Sequence, residues 1–165
     1  MHVGYEEFRE LSLMRRELND PPPSPDHLVV ESDATRIANM LEIDHAAFSS
    51  FWRFDELGLR EAMDATGRSM VLVIRDAAGG LAGFAVIGFG TAIAYLQRVA
   101  VHPQWQGQGM GRSLVRAAAR RARADGARVM LLNTQPDNEP AIHLYRAEGY
   151  IQLPQPLWLL RCTSR

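Results

Sequence analysis

Apolar positions along the chain follow two different periods, and the change between them divides the sequence into elements. Residues 70–74 (Met-Val-Leu-Val-Ile), 81–89 and 93–101 are apolar runs of strand length. Glycine and aspartate clusters bound them, so they predict three consecutive strands, most simply an antiparallel meander. Over residues 110–125 the period lengthens. Met110, Leu114, Val115, Ala118 and Ala122 fall on one side and Arg112, Arg116, Arg120 and Arg123 on the other, which predicts an amphipathic helix stopped by Gly126.

The remaining elements are shorter. Residues 28–30 suggest a strand, followed by a helix through Ile37, Met40, Leu41 and Ile43 with Ser32 or Asp33 as its N-cap. A second helix is expected over residues 57–65 and a further strand over 129–132. Asn138 should cap a short helix ending at Gly149, with Pro140 tolerated in its first turn, and two strand-like pieces close the chain. Residues 1–20 have helix-compatible composition, but Pro21, Pro22, Pro23 and Pro25 form a stiff break that no helix crosses. The chain therefore divides into an N-terminal arm, residues 1–26, and an α+β domain, residues 27–165. Residues 4–15 weakly echo residues 149–161. Chance explains such an echo, but it also raises the possibility that the arm is a strand packed on the sheet edge.

Composition narrows the chemistry. At 165 residues, 47% hydrophobic and 22% charged, the chain suits one folded domain. A net charge of −1 gives no reason to expect a nucleic-acid partner. All 18 basic residues are arginine, which excludes a lysine nucleophile, a Schiff base and a Walker-type phosphate loop. The single cysteine, Cys162, excludes an internal disulfide framework and a cysteine-rich zinc site, and a reducing cytoplasm fits. No signal peptide is evident. Residues 77–97 carry no formal charge, but five glycines interrupt them, so a hairpin is expected there and no membrane span.

The candidate chemistry lies where the third strand runs through Val99, Ala100 and Val101 into Gln106, Gly107, Gln108, Gly109, Met110, Gly111 and Arg112. Unpaired amides at a helix N-terminus and the positive end of the helix dipole make such a junction an anion site, with glycine letting the backbone approach. A tight turn would also require glycine. The spacing is GxGxG, and no acidic residue ends the next strand, so a dinucleotide-binding loop of the Rossmann type is not expected.

Gln106-x-x-Gly109-x-Gly111 after a Val-Ala-Val strand is similar to the acyl-CoA-binding motif of the GNAT superfamily of N-acyltransferases. The run Asn138-x-x-Ala141-x-x-Leu144-Tyr145-x-x-x-Gly149-Tyr150 resembles that family's second motif, and the likeness covers about residues 28–162. It implies a mixed, mostly antiparallel sheet with a splayed central strand pair and helices on both faces.

By that resemblance, Val99, Ala100 and Val101 would pair with the pantetheine arm of acetyl-CoA, and the amides of residues 106–112 would hold its pyrophosphate. Asn138 would touch the cofactor arm besides capping its helix, and Tyr145 would protonate the departing thiolate. On spacing alone, Tyr145 is a core aromatic and Asn138 a simple cap. Tyr95 stands where lysine-acetylating relatives carry a glutamate, which makes it the second catalytic candidate. No Asp or Glu lies between Asp76 and Asp125. The base must then come from Asp44, His45, Asp55, Glu56 or His102, act through water, or be dispensable for an already neutral amine.

The segment from Phe48 to Glu56 falls where acceptor-covering loops lie. Its aromatics and two carboxylates would suit an amine, though core filling accounts for the aromatics equally well. The arginine stripe could meet a phosphate of the cofactor at its near end or simply face solvent. The resemblance thus implies an N-acetyltransferase using acetyl-CoA and no metal, acting by direct attack of a primary amine in a ternary complex. The acceptor would be a small-molecule amine or a peptide N-terminus. No membrane is expected as a partner, and a homodimer is left open. The alternative is a non-catalytic acyl-CoA-binding module.

Overall fold

The computed structural model describes residues 3–32 and 37–164. Its elements are β1 (Val3–Glu17), β2 (Val30–Ser32), α1 (Ile37–Ala47), α2 (Glu56–Asp64), β3 (Arg68–Arg75), β4 (Leu81–Phe89), β5 (Ile93–Val101), α3 (Met110–Ala124), β6 (Val129–Thr134), α4 (Glu139–Ala147), β7 (Ile151–Gln152) and β8 (Leu157–Ser164). The strands form an eight-stranded sheet in the order β2-β3-β4-β5-β6-β1-β7, with β8 paired to β1. Every pairing is antiparallel except β5 with β6.

The meander β3–β4–β5 forms as its apolar runs predict. Its first turn is fixed by Asp76, whose carboxylate accepts from the N–H groups of Ala78 (2.9 Å) and Gly80 (2.8 Å), while Gly79 takes φ +84°. A left-handed residue costs glycine nothing. These strands carry apolar side chains on both faces because helices cover both. Leu72, Ile74, Ala85, Ile87 and Leu96 pack toward α3 and α4. Val71, Val73, Phe84, Val86 and Ala100 pack with Ile37, Met40, Ile43 and Leu59 of α1 and α2. On α3 the contact face includes Ala118, Ala119 and Ala122, all fully buried. Gly126, at φ +90°, ends this helix with the Ala127 N–H bonding back to the Ala122 carbonyl at 3.0 Å.

Residues 3–17 form a strand, not the helix that their composition allows. Ser12–Glu17 pair with β6, Met14 and Arg15 also with β7, and Val3–Leu11 with β8. At Met14 and Arg15 the strand therefore lies inside the sheet, between β6 and β7. Glu, Arg, Leu and Met favour helix intrinsically, but burial of Leu11 and Met14 against neighbouring strands outweighs a preference worth a few tenths of a kcal/mol per residue. The two echoing segments are antiparallel partners, Gly4 opposite Thr163 through Leu11 opposite Leu157. Ser32, one proposed cap, ends β2, and the other, Asp33, lies outside the described residues.

The arginine stripe of α3 is engaged by the chain itself along most of its length, although Arg112, Arg120 and Arg123 remain exposed. The proline-rich segment runs along it. Arg123 Nε donates to the Leu18 carbonyl (3.0 Å), Arg120 to Pro22 (2.8 Å), and Arg116 to Ser24 (3.3 Å) and to the Asp26 carboxylate (3.2 Å). Ser113 Oγ accepts from the N–H groups of Asp26 and His27, both at 3.1 Å. A proline-rich segment is poor in donors but keeps every carbonyl, so the guanidinium groups supply what it lacks. Glu148, almost fully buried, accepts from Arg116 Nε at 2.9 Å and pairs with Arg112 at 3.4 Å.

Candidate active site

The parallel pairing of β5 with β6 runs only from Ile93–Val129 to Leu96–Leu132. Beyond Leu96 the strands part, although β5 continues to Val101 and β6 to Thr134. On its other side β5 stays paired to β4 through Gly83–Val101, with an irregularity between Val86 and Ile87 that leaves Gln97 as the extra, bulged residue. One edge of residues 97–101, including Val99, Ala100 and Val101, is thus unpaired within the sheet. Backbone donors and acceptors there need a partner, and an extended chain laid between the parted strands would supply it.

The glycine-rich loop begins where this strand ends. Gln106 Nε2 donates to the Val101 carbonyl at 2.9 Å, tying the loop's first residue to the strand. Gly107 and Gly109 adopt φ +77° and +84°, conformations that an L side chain takes only with strain. Gly109 is the N-cap of α3 and offers no side-chain cap. The first helical bond is from Ser113 N–H to the Gly109 carbonyl, at 3.0 Å. Among the described residues, the amides of residues 107–112 take no backbone acceptor. Turn geometry explains two glycines but not Gly111, where an added Cβ would meet its neighbours only at 3.7 Å and 3.9 Å. Free amides and the helix dipole together fit a pyrophosphate, so the residues present suit the phosphate end of acetyl-CoA.

A cavity of about 460 Å³ lies at the fork. Leu96, Gln97, Arg98 and Val99 of β5 form one wall, Asn133, Thr134 and Gln135 another, and Asn138, Ala141 and Tyr145 of α4 close it beside Phe48, Phe51, Trp52, Arg53 and Phe54. Asn138 caps α4, its Oδ1 accepting from the Ala141 N–H at 3.3 Å, and also lines the cavity. The structure thus brings Tyr145, Val99 and Asn138 together. Tyr95 is not brought there. It sits opposite Gly88 and Leu131, deeper in the paired part of the sheet, and does not line the cavity.

The cavity wall holds an ion pair that the sequence did not reveal. Asp44, on α1, is fully buried and accepts from Arg98 Nε at 2.7 Å and from the Phe54 N–H at 2.8 Å. Arg98 also donates to the Trp52 carbonyl at 2.7 Å and lies between the rings of Phe48 (3.6 Å) and Phe54 (4.1 Å). The aromatic segment is thereby fastened to β5. Its cationic centre is internal, so the aromatics engage the protein's own guanidinium in addition to lining the cavity.

The remaining candidate bases are occupied elsewhere. His45 Nε2 contacts the Phe54 carbonyl at 2.7 Å, Asp55 caps α2 through the Gly58 N–H, Glu56 pairs with Arg60, and His102 Nδ1 accepts from the Gln104 N–H.

Burial pushes the Tyr145 phenol up to about 12, against a smaller downward pull from Arg98. Tyr150, whose ring packs at 5.8 Å from that of Tyr145, is raised by burial still further, and its hydroxyl has no hydrogen-bond partner. Both folded-state values exceed the unfolded value of about 10, so the stability they carry is fully present below pH 10 and is lost as pH rises through the folded-state values. Denaturant midpoints measured from about pH 8 to about pH 11 should fall above pH 10. Tyr150→Phe should flatten that fall and, by removing an unsatisfied hydroxyl, add up to roughly 1 kcal/mol at neutral pH.

Comparison with known proteins places this geometry. The model of the acetyltransferase (GNAT) family matches residues 37–150. A streptothricin acetyltransferase of Streptomyces lavendulae is 40% identical over 95 residues, covering 54% of this chain and 48% of that protein. A mycothiol acetyltransferase of Actinosynnema mirum is 28% identical over 159 residues, covering 90% and 54%. The chain thus spans about half the length of these relatives. In fold it is similar to a GCN5-related N-acetyltransferase from Sphaerobacter thermophilus, with a TM-score of 0.70, 18% identity, and coverage of 97% of this chain and 53% of that one. Among the described residues, no helix is long and apolar enough to cross a membrane and no cluster of His, Cys, Asp and Glu could hold a metal.

Proposed function

Because the chain belongs to the GNAT acetyltransferase family, we propose that it transfers an acetyl group from acetyl-CoA to a primary amine by direct attack in a ternary complex. The observation that carries this reading is the parting of β5 from β6 beside a cavity that holds Tyr145, with β5 itself running on through the glycine-rich loop to the open N-terminus of α3. Acetyl-CoA supplies an activated thioester carbonyl.

The protein's residues do the rest. The free edge of Val99, Ala100 and Val101 holds the pantetheine arm, the amides of residues 107–112 hold the phosphates, and Gln106 fixes the loop to β5. A backbone N–H near Val99 stabilises negative charge developing on the carbonyl oxygen. As the amine nitrogen forms its bond to carbon, the carbon–sulfur bond breaks and sulfur keeps the electron pair. Tyr145 gives its proton to that sulfur and is reprotonated by the surplus proton of the nitrogen, through water, so the products are an amide and a free thiol. A phenol held neutral by burial suits an acid that must carry its proton at physiological pH. Direct attack is favoured because the described lining contains no cysteine, serine or lysine to carry the acetyl group, and its one threonine, Thr134, is buried.

The names of the streptothricin and mycothiol acetyltransferases support a small-molecule acceptor, and that of a ribosomal protein bS18-alanine N-acetyltransferase of Bacillus subtilis, 28% identical over 113 residues, supports a peptide N-terminus. One observation supports the non-catalytic alternative: no carboxylate is among the described residues lining the cavity. Thiol release from acetyl-CoA across a panel of amines separates the two. Amine-dependent release with matching acetylated product is expected, whereas CoA binding with no release on any amine would leave a binding module.

A further inference from the structure

The charged groups around the acceptor end of the cavity are unusual for a site that must deprotonate an ammonium ion. Arg53 and Arg98 line it, Arg9 lies over the outer ring Phe51 at 5.2 Å, and Tyr145 is held neutral. The carboxylate bonded to the lining residue Arg98, Asp44, has one oxygen on that guanidinium and the other on the Phe54 N–H, so both are engaged within the protein. His45, Asp55, Glu56 and His102 have partners elsewhere, and Tyr95 does not line the cavity.

An incoming ammonium would meet the Arg53 guanidinium, an Arg98 already paired with Asp44, and, among the described lining, no carboxylate to take its charge. Like charges nearby favour the neutral form of an amine and exclude its charged form. From these contacts we infer that the cavity selects acceptors whose amine is weakly basic and already largely uncharged near neutral pH, such as an α-amino group, over alkylamines of the lysine side-chain type. The inference rests on the acetyltransferase reading and specifies the acceptor of that same site.

The magnitude is large enough to measure. With amine pKa values of about 7.8 and about 10.4, the free-base fractions at pH 7 differ by roughly 300-fold. A site without a base passes that difference directly into kcat/KM.

The test uses the full chain with acetyl-CoA and two acceptors of similar shape, phenylalaninamide and phenethylamine, over about pH 6–10. Phenylalaninamide should be favoured at pH 7 by roughly two orders of magnitude. Each kcat/KM profile should rise with unit slope and level only at the amine's own pKa. Gln97 lines the cavity on the bulge of β5, so Gln97→Glu adds a nearly isosteric carboxylate there. It should raise phenethylamine turnover at pH 7 about tenfold or more, because positioned bases contribute on the order of 10²–10⁴. Equal wild-type kcat/KM for the two amines at pH 7, a profile levelling below the amine's pKa, or unchanged discrimination in a folded Gln97→Glu protein overturns the inference and leaves acetyl transfer standing. Binding of CoA with turnover of neither amine overturns the acetyltransferase reading itself, and the inference with it.

Discussion

Replacing Tyr145 with phenylalanine is expected to lower kcat by roughly two to four orders of magnitude, the usual contribution of a positioned proton donor, while KM for acetyl-CoA changes little. The separation follows from position. The ring lies 9% exposed between the α4 helix and Tyr150, so phenylalanine keeps the packing and loses only the hydroxyl. Apart from the Tyr145 hydroxyl at the sulfur, the cofactor's proposed binding contacts are chiefly with β5 and the N-terminus of α3, which the substitution does not touch. Since burial holds the phenol up to about 12, its ionisation should not depress the wild-type rate below about pH 11. Steady-state kinetics by thiol release, with CoA binding measured on the same samples, reads both quantities. An unchanged kcat in a folded Tyr145→Phe protein would return this residue to the packing role that its helical spacing alone allows.

The second large effect concerns stability. Asp44→Ala is expected to destabilise the fold by about 3–5 kcal/mol, because it leaves a guanidinium that is only 10% exposed without its counter-charge. It also deprives the Phe54 N–H of its acceptor. In a domain of this size that corresponds to a fall in Tm on the order of 10 °C. The exposed pair Arg60–Glu56, with side chains 55% and 61% accessible, should cost no more than about 1 kcal/mol when broken.

A double variant distinguishes the cause. Asp44→Leu with Arg98→Met removes both charges and should recover most of the loss, since a buried pair replaced by apolar side chains is often neutral. If it were no more stable than Asp44→Ala, the cost would lie in lost packing between α1, β5 and the aromatic segment and not in the unpaired charge. Thermal unfolding of the three proteins, followed by circular dichroism, decides this.

The parts legible in the sequence are those whose cause is local. The meander follows from uninterrupted apolar runs, α3 from its 3.6-residue period, and the anion site from glycines at a strand-to-helix junction. Gly107 and Gly109 need positive φ wherever the chain later folds. Asn138 caps α4 as its place ahead of Pro140 predicts.

What the sequence did not show depends on partners far along the chain. β1 has the residues of a helix and becomes a strand because β6 and β8, more than 100 residues away, offer it an unpaired edge. The arginines of α3 have the spacing of a solvated face, and only the return of residues 18–27 across them supplies the carbonyls that they hold. The ion pair Asp44–Arg98 spans 54 positions, and no periodicity marks either member. Its one local sign is the cluster of Phe48 and Phe54 around Arg53 and Asp55. That cluster reads equally well as core or as an acceptor loop until Arg98 is seen between the rings.

The central claim is that acetyl-CoA lies between β5 and β6 with its phosphates on the N-terminus of α3. Hydrogen–deuterium exchange of the full chain with and without acetyl-CoA tests it most directly. Protection is predicted at the amides of residues 97–101 and 107–112, which lack sheet or helix partners on the cavity side, with β2, β7 and β8 unchanged. Protection elsewhere while residues 107–112 exchange as before, or no protection at saturating acetyl-CoA, would contradict it.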